Sequence, residues 1–182
     1  MLASRATAPF WQQPRFTTKN IRRGLGKKRY QLTREQALQR LERYCAYQDR
    51  CHQEVERKLR ELGMHGADRD AILLHLIEEG FLDEERFARS FVRGKFRMKG
   101  WGRSRLLREL KARDISDYCI RQALTEIDEA EYRETVAAQL RKKWDQLAGE
   151  PPLQRRQKLY RWALGRGYEN ELIQDFLDRA AD

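Results

Sequence analysis

The sequence predicts an all-α protein made of three tandem three-helix repeats. Three observations lead there. Proline is scarce, with four in 182 residues, while the helix formers Leu, Arg, Glu, Ala and Gln abound. Apolar residues recur three and four apart through most of the chain, the period of a helix with one buried face. Several of these stretches end on glycine followed by an apolar residue, the pattern of a helix closed by a left-handed cap.

The first 30 residues stand apart. They hold eight Lys/Arg and no Asp/Glu, with Pro9, Pro14, Gly24 and Gly26 and no sustained apolar period. The expectation for residues 1–30 is a flexible basic arm. An Arg-rich, acid-free start also has the look of an organellar transit peptide. Phe10, Trp11 and Phe16 have two readings there, stacking on bases or packing on the body.

Residues 31–81 form the expected first repeat. Thr33 and Gln36 make a capping box, and the helix over 33–48 carries Ala37, Leu38, Leu41, Tyr44 and Cys45 on one side. A helix over 53–62 turns Val55, Leu59 and Leu62 inward, and one over 68–79 does so with Ile72, Leu73, Leu76 and Ile77. Gly63–Met64 and Gly80–Phe81 read as stops, Met64 packing on Leu59 and Phe81 on Leu76.

The second repeat, 82–128, opens with Asp83 as N-cap and Glu84 and Glu85 complementing the helix dipole. Its helix over 84–97 buries Phe87, Ala88, Phe91 and Val92; the next turns Leu106, Leu107 and Leu110 inward. Its stop places Asp114, ahead of Ile115, in a left-handed conformation that Asp tolerates less easily than Gly. The third repeat, 129–182, has a helix over 130–147 with Tyr132, Val136, Leu140 and Trp144 on its apolar side. Gly149, Glu150, Pro151 and Pro152 lengthen its first loop, and Gly167–Tyr168 is its stop, packing on Ala163.

Aligning these stops exposes the repeat. With Met64, Ile115 and Tyr168 at position zero, Val55, Leu106 and Leu159 stand nine residues before. Leu59, Leu110 and Ala163 stand five before. Ile72, Ala123 and Phe176 stand eight after, and Leu73, Leu124 and Leu177 nine after. Units of about 50 residues are too small for a generous core alone, so neighbours should share apolar surface in an elongated, slightly curved body.

Charge is unevenly placed. The net +10 of the whole chain equals the charge of residues 86–113 alone, where eleven Lys/Arg meet one acid, Glu109. The basic arm is balanced by an acidic remainder. Such a body with basic zones suits a polyanion or an acidic protein surface. Arg86, Arg89, Arg93 and Arg97 fall within an arc of about 80° on a helical wheel, opposite the Phe-lined side. Arg105, Arg108 and Lys111 make a second ridge. With Lys95, Lys99, Trp101 and Arg103 these are the expected binding residues, because guanidinium forks suit phosphates and carboxylates. Gly100 and Gly102 offer close backbone approach to a ligand, and Trp101 either stacks on a base or lids the core.

Catalytic patterns are lacking. Asp83, Glu84 and Glu85 are explained by helix capping; His52, His65 and His75 have no nucleophile at a familiar spacing; no phosphate-cradling glycine loop occurs. The expectation is no enzyme, no catalytic residue and no cofactor. Three cysteines without a CxxC pair suggest free thiols in a reducing compartment, and a zinc site at Cys51, His52 and His65 lacks a second ligand pair of the right spacing. No apolar run reaches the ~18 residues of a membrane span, and no secretory signal opens the chain.

The run Gly80, Leu82, Asp83, Arg86, Phe87, Ala88, then Lys99, Gly100, then Arg105, Glu109, Leu110 resembles the RecX family of recombinase regulators. The likeness extends more weakly from Leu32 to the C-terminus; the arm matches no family signature. The resemblance implies three tandem three-helix repeats and a cytoplasmic monomer. The protein would bind RecA and the groove of its DNA filament, limiting recombination, ATP hydrolysis and co-protease activity without cofactor or metal. The same basic residues would then be the RecA- and DNA-binding set. The rival readings are a stand-alone helical-repeat nucleic-acid binder and, from a third class, a transferase or nuclease using the acidic cluster.

Overall fold

The computed structural model describes residues 32–180, and all regular structure within them is helical: α1 Arg34–Tyr47, α2 His52–Glu61, α3 Gly66–Glu78, α4 Glu84–Lys99, α5 Arg103–Lys111, α6 Asp117–Leu124, α7 Glu129–Gln146, α8 Pro152–Arg166 and α9 Asn170–Arg179. The basic arm expected over 1–30, with Phe10, Trp11 and Phe16, lies outside the described residues. The helices group as three triplets, in keeping with the repeats.

Local chemistry accounts for the helix ends. Thr33 closes the reciprocal capping box with Gln36 at the start of α1. Asp83, Ser116 and Asp128 each accept a backbone N–H as N-cap of α4, α6 and α7. At the other ends, Met64 donates to Leu59 (3.0 Å), Ile115 to Leu110 (3.2 Å) and Tyr168 to Ala163 (3.2 Å), as the aligned stops require. Asp114 takes φ 55°, the one positive φ outside glycine among the described residues. The stop after α3 differs by one residue. Leu82, not Phe81, donates to Leu76 (2.8 Å) and enters the core, leaving Phe81 half-buried.

Burial follows the repeat columns. Val55, Leu106 and Leu159 are fully buried, as are Leu59, Leu110 and Ala163, and the stop residues Met64, Ile115 and Tyr168 are buried as well. Full burial of one such aliphatic side chain contributes roughly 1.5–3 kcal/mol, so the three matched layers are a large share of each repeat's stability. The later columns are less strict: Phe176 and Leu124 only lean on the core. Two inward assignments fail. Ile77 is 50% and Leu107 37% exposed, because each lies at the margin of its helix's apolar stripe and no neighbouring helix covers it.

The sharing of apolar surface is unequal. One continuous core runs from Phe87 to Leu177, so the second and third repeats are packed as one body. The first repeat has its own core, from Ala37 to Leu82. Cys51 crosses over, fully buried in the larger core. Polar contacts reinforce that junction: Asp49 accepts from Arg86 (2.9 Å) and Ser90 (2.6 Å), and Gln53 bonds Asp114.

The junction between repeats two and three joins backbones. Gly102 donates to the Arg166 carbonyl (2.8 Å) and Ser104 to the Gly167 carbonyl (3.1 Å). Tyr168 Oη donates to the Gly100 carbonyl (2.9 Å), and the Arg166 guanidinium reaches the Lys99 carbonyl. Orphan N–H groups at the start of α5 thereby meet orphan carbonyls at the end of α8, an alignment that also opposes two helix-dipole ends of unlike sign. In the repeat alignment Ser104 stands where Gln53 does and Gly167 where Asp114 does. The same juncture is thus made twice, once through side chains and once through backbone. Gly102 therefore serves this contact, while Gly100 takes the left-handed C-cap of α4, and both are buried rather than open to a ligand.

A methyl group at Gly102 would lie 2.2 Å from the Gly167 carbonyl oxygen, whereas one at Gly94, inside α4, meets nothing within 4 Å. Gly102→Ala should lower stability by about 1–3 kcal/mol through forced displacement. Gly94→Ala should raise it by about 0.5–1 kcal/mol through helix propensity. Urea unfolding followed by circular dichroism measures both, and a neutral Gly102→Ala would show that the junction yields.

Candidate functional site on the second repeat

The eleven expected binding residues all lie on α4, α5 or the turn between them, and the fold separates them into two groups. The first is the ridge Arg86, Arg89, Arg93 and Arg97. Each is met by a carboxylate of this same chain. Arg86 bonds Asp49 and also the Gly80 carbonyl (2.8 Å), which ties the end of α3 to α4. Arg89 bridges Glu85 (2.8 Å) and Glu126 (2.6 Å), Arg93 meets Glu126 (3.0 Å), and Arg97 approaches Glu131 (3.7 Å). Arg103, at the start of α5, pairs with Glu129 (2.7 Å) and lies 4.2 Å over the Tyr132 ring. Tyr132 is fully buried; its hydroxyl accepts from the Arg103 N–H and donates to Glu169. Burial, then the Glu169 carboxylate, pushes that phenol far up.

The second group borders an aromatic strip. Trp101 is half-buried, neither lost in the core nor fully presented. Its ring meets Phe91 edge-on (6.1 Å), the Arg105 guanidinium lies 4.0 Å over it, and the Lys95 ammonium lies 5.4 Å from it. Lys95 is equally near the Phe91 ring, and Arg113 approaches that ring at 5.0 Å. The strip therefore alternates cation and ring: Arg113, Phe91, Lys95, Trp101, Arg105. Lys95 is its centre, and Phe91, assigned to the core, is only partly buried there and gives its ring to the strip as well. Its neighbours Met98, 81% exposed, and Lys99 line a groove of about 320 Å³ against the α1–α2 connection.

Arg105 donates to the Gly165 carbonyl (3.2 Å), and Lys111 approaches Asp117 (3.5 Å). Lys95, Lys99 and Arg108 have no carboxylate partner among the described residues. Cations held over rings are attracted by the ring quadrupole yet keep their charge for a ligand. This strip can take phosphates on its cations and a flat base or apolar side chain on its rings.

The acidic residues at the start of α4 are occupied: Asp83 caps the helix, Glu84 accepts from Ser116 N–H (2.7 Å), and Glu85 holds Arg89. Cys51 is packed in the core, where burial pushes its thiol up, and His52 lies against Glu56 (3.6 Å). Among the described residues no group of three or more His, Cys, Asp and Glu is placed to hold a metal ion, and no helix is long and apolar enough to cross a membrane.

The acids that neutralise the ridge were not anticipated. Glu126, Glu129 and Glu131 follow the basic segment in sequence, and a dense acidic run beside a dense basic one is the signal that could have found them. Linear distance hid it, since Arg89 and Glu126 are brought together only when α6 folds back along α4.

Fold and face together define an all-helical tandem-repeat protein with a cationic, ring-backed surface on its middle repeat. The family model of the second three-helix domain of RecX matches residues 83–124, and that of the third three-helix domain matches residues 130–177. A Regulatory protein RecX from Prosthecochloris aestuarii is 32% identical over 142 residues, covering 78% of this chain and 91% of that protein. One from Escherichia coli (strain SE11) is 30% identical over 158 residues, covering 80% and 92%. The chain belongs to the RecX family. Among solved structures, the crystal structure of a regulatory protein RecX superposes with a TM-score of 0.72 at 22% identity, covering 80% of this chain and 73% of that one. That of RecX from Lactobacillus salivarius gives 0.68 at 21%, covering 80% and 95%. At those identities the superpositions speak for the fold.

Asp49 supplies a pH test. Partial burial pushes its carboxyl up, but hydrogen bonds from Ser90 and Arg86 outweigh that and hold it below the usual carboxylate range. A carboxyl lowered in the folded state stabilises fully above its unfolded value, about 4. That contribution is lost as pH falls through the lower folded value. Asp49→Asn should therefore be destabilising at pH 7 and nearly neutral in strong acid, read as unfolding midpoints across pH 2–7, about the full carboxylate range.

Proposed function

We propose that this chain is a non-catalytic regulator that binds RecA and its DNA filament in the cytoplasm, as a monomer, and restrains recombinase, ATPase and co-protease activity. The observation that carries the reading is membership in a family of regulatory proteins, across nine-tenths of the length of the relatives. The basic face of the second repeat supports it, since a nucleoprotein filament offers phosphates, exposed bases and acidic protein surface together.

The contact surface proposed is the ring-backed strip: Lys95, Trp101 and Arg105, extended by Lys99, Arg108 and Lys111. The ridge of Arg86, Arg89, Arg93 and Arg97, with Arg103, is proposed as a second edge of the same face. Arg86 is the least available of these, because three acceptors already hold it. A stand-alone nucleic-acid binder is the second reading, favoured by the alternation of cations and rings around Trp101.

The deciding experiment is ATP hydrolysis by RecA on single-stranded DNA with this protein at substoichiometric amounts. Suppression is expected, weakening as salt rises because phosphate contacts release counterions. Lys95→Glu with Arg108→Glu should weaken it by at least about tenfold while helicity is retained, since neither side chain holds a carboxylate in the fold. Arg93→Glu with Arg97→Glu is a less clean probe, as it also sets Glu against Glu126 and Glu131. Binding to naked DNA without any effect on RecA would favour the stand-alone binder.

A further inference from the structure

Glu126 stands in the short connection between α6 and α7, outside both helices. It follows Thr125, the C-cap of α6, and so lies at the negative end of that helix dipole. It makes no cap hydrogen bond there with its side chain. Instead its two carboxylate oxygens are divided between two arginines of α4, Oε1 to Arg89 (2.6 Å) and Oε2 to Arg93 (3.0 Å). Those hydrogen bonds, the Arg89 one foremost, hold its carboxyl below the usual range. Two oxygens of one anion spread over two guanidinium groups is the arrangement that a phosphodiester would adopt on the same ridge.

Glu129 and Glu131 continue the series on Arg103 and Arg97. Their position in the first turn of α7 is already favourable to the helix dipole, so helix stability accounts for them without further purpose. Glu126 is outside that first turn, and its side chain is held by the two α4 arginines alone. The three acids lie within six residues of chain and meet Arg89, Arg93, Arg97 and Arg103, four of the eleven expected binding residues.

We propose that Glu126, extended by Glu129 and Glu131, occupies a phosphate-binding edge of α4 as an internal competitor, so that a polynucleotide backbone must displace these carboxylates to use the arginine ridge. The proposal rests on the basic face being the binding face and specifies how that face is held in check. Arg93 and Arg97 are exposed, and exposed ion pairs are individually weak and screened by salt, whereas the Arg89–Glu126 pair is part-buried and is the firmest of the series. A strand presenting several phosphates in series can therefore replace them from the exposed end of the ridge, Arg97 and Arg93, inward to Arg89. Glu126 lies in the α6–α7 connection and its pairs stay within the second repeat, whereas Glu129 and Glu131, in the first turn of α7, pair across to Arg103 and Arg97 and so tie the third repeat to the second. Displacement of Glu129 and Glu131 consequently loosens an electrostatic tie between the two repeats, while their common core and the Gly102–Gly167 junction keep them together.

The test is fluorescence anisotropy of a labelled single-stranded oligonucleotide, with no RecA present, using the full chain. Glu126→Gln keeps the side-chain shape and removes the charge; affinity should rise about threefold, and about tenfold for Glu126→Gln with Glu129→Gln and Glu131→Gln. The slope of log affinity against log salt should steepen by about 0.7 for each phosphate newly engaged. Glu134→Gln makes the same change in net charge on an acid without an arginine partner among the described residues, and should leave affinity where it was. Adding Arg93→Gln to Glu126→Gln should remove most of the gain. Equal affinity for the wild-type and Glu126→Gln chains, an equal gain from Glu134→Gln, or no binding by any of them would overturn the proposal. A gain in DNA affinity in a protein that leaves RecA ATPase unchanged would retain the competitor and remove the regulator reading. Suppression of RecA with no gain would do the reverse.

Discussion

The rest of the structure depends on the close approach of two backbones at Gly102 and Gly167. A helix start has N–H groups without partners and a helix end has carbonyls without partners. Here the end of α8 supplies the carbonyls that the start of α5 needs, through Arg166 and Gly167 to Gly102 and Ser104. Neither residue tolerates a side chain: a methyl at Gly167 would fall 2.4 Å from the Arg105 backbone nitrogen. Because that contact fixes α8 against α5, Tyr168 seals Gly100 and the cores of two repeats merge. Burial pushes the Tyr168 phenol up to about 12, so it stays a neutral donor throughout the physiological range.

The placement of the cationic strip is a consequence. The turn between α4 and α5 is held from behind by the third repeat, which leaves Trp101 packed between Phe91 and the Arg105 side chain with its cations outward. The first repeat bounds the other side. Asp49 fixes Arg86 and Ser90, and the groove beside Phe91 runs between that connection and α4. The middle repeat thus presents a surface whose geometry is set by its two neighbours, and a terminal repeat would lack one of them.

The charge of the segment 86–113 gives an inflated view of what is available to a ligand. Its net +10 is real in the sequence, but the ridge on α4 is met by Asp49, Glu85, Glu126 and Glu131. What remains without carboxylate partners among the described residues, Lys95, Lys99, Arg105 and Arg108, is smaller and lies elsewhere on the same two helices. The relevant quantity for a polyanion is the field after this internal neutralisation, and it is that field which Glu126 tunes.

The helical class, the capping box at Thr33, the N-cap at Asp83 and the register of the repeat were all legible from residue types alone, because each depends on contacts within about one or two turns of chain. Even the strained Asp114 was visible, since a stop aligned with two glycine stops leaves no other conformation for it. The candidate site was legible only as a list of cations with Trp101 among them. Which of them are neutralised depended on α6 folding back on α4 to bring Glu126 to Arg89 and Arg93, a pairing 37 residues away along the chain at Arg89. Likewise Gly102 looked like a place for a ligand and proved to be a place for Gly167, and Ile77 looked inward but had no neighbour to cover it. Local hydrogen bonding and apolar periodicity are properties of a segment, whereas neutralisation, burial at a stripe's margin and backbone approach belong to the pair of segments that meet. Only the tertiary structure decides which segments those are.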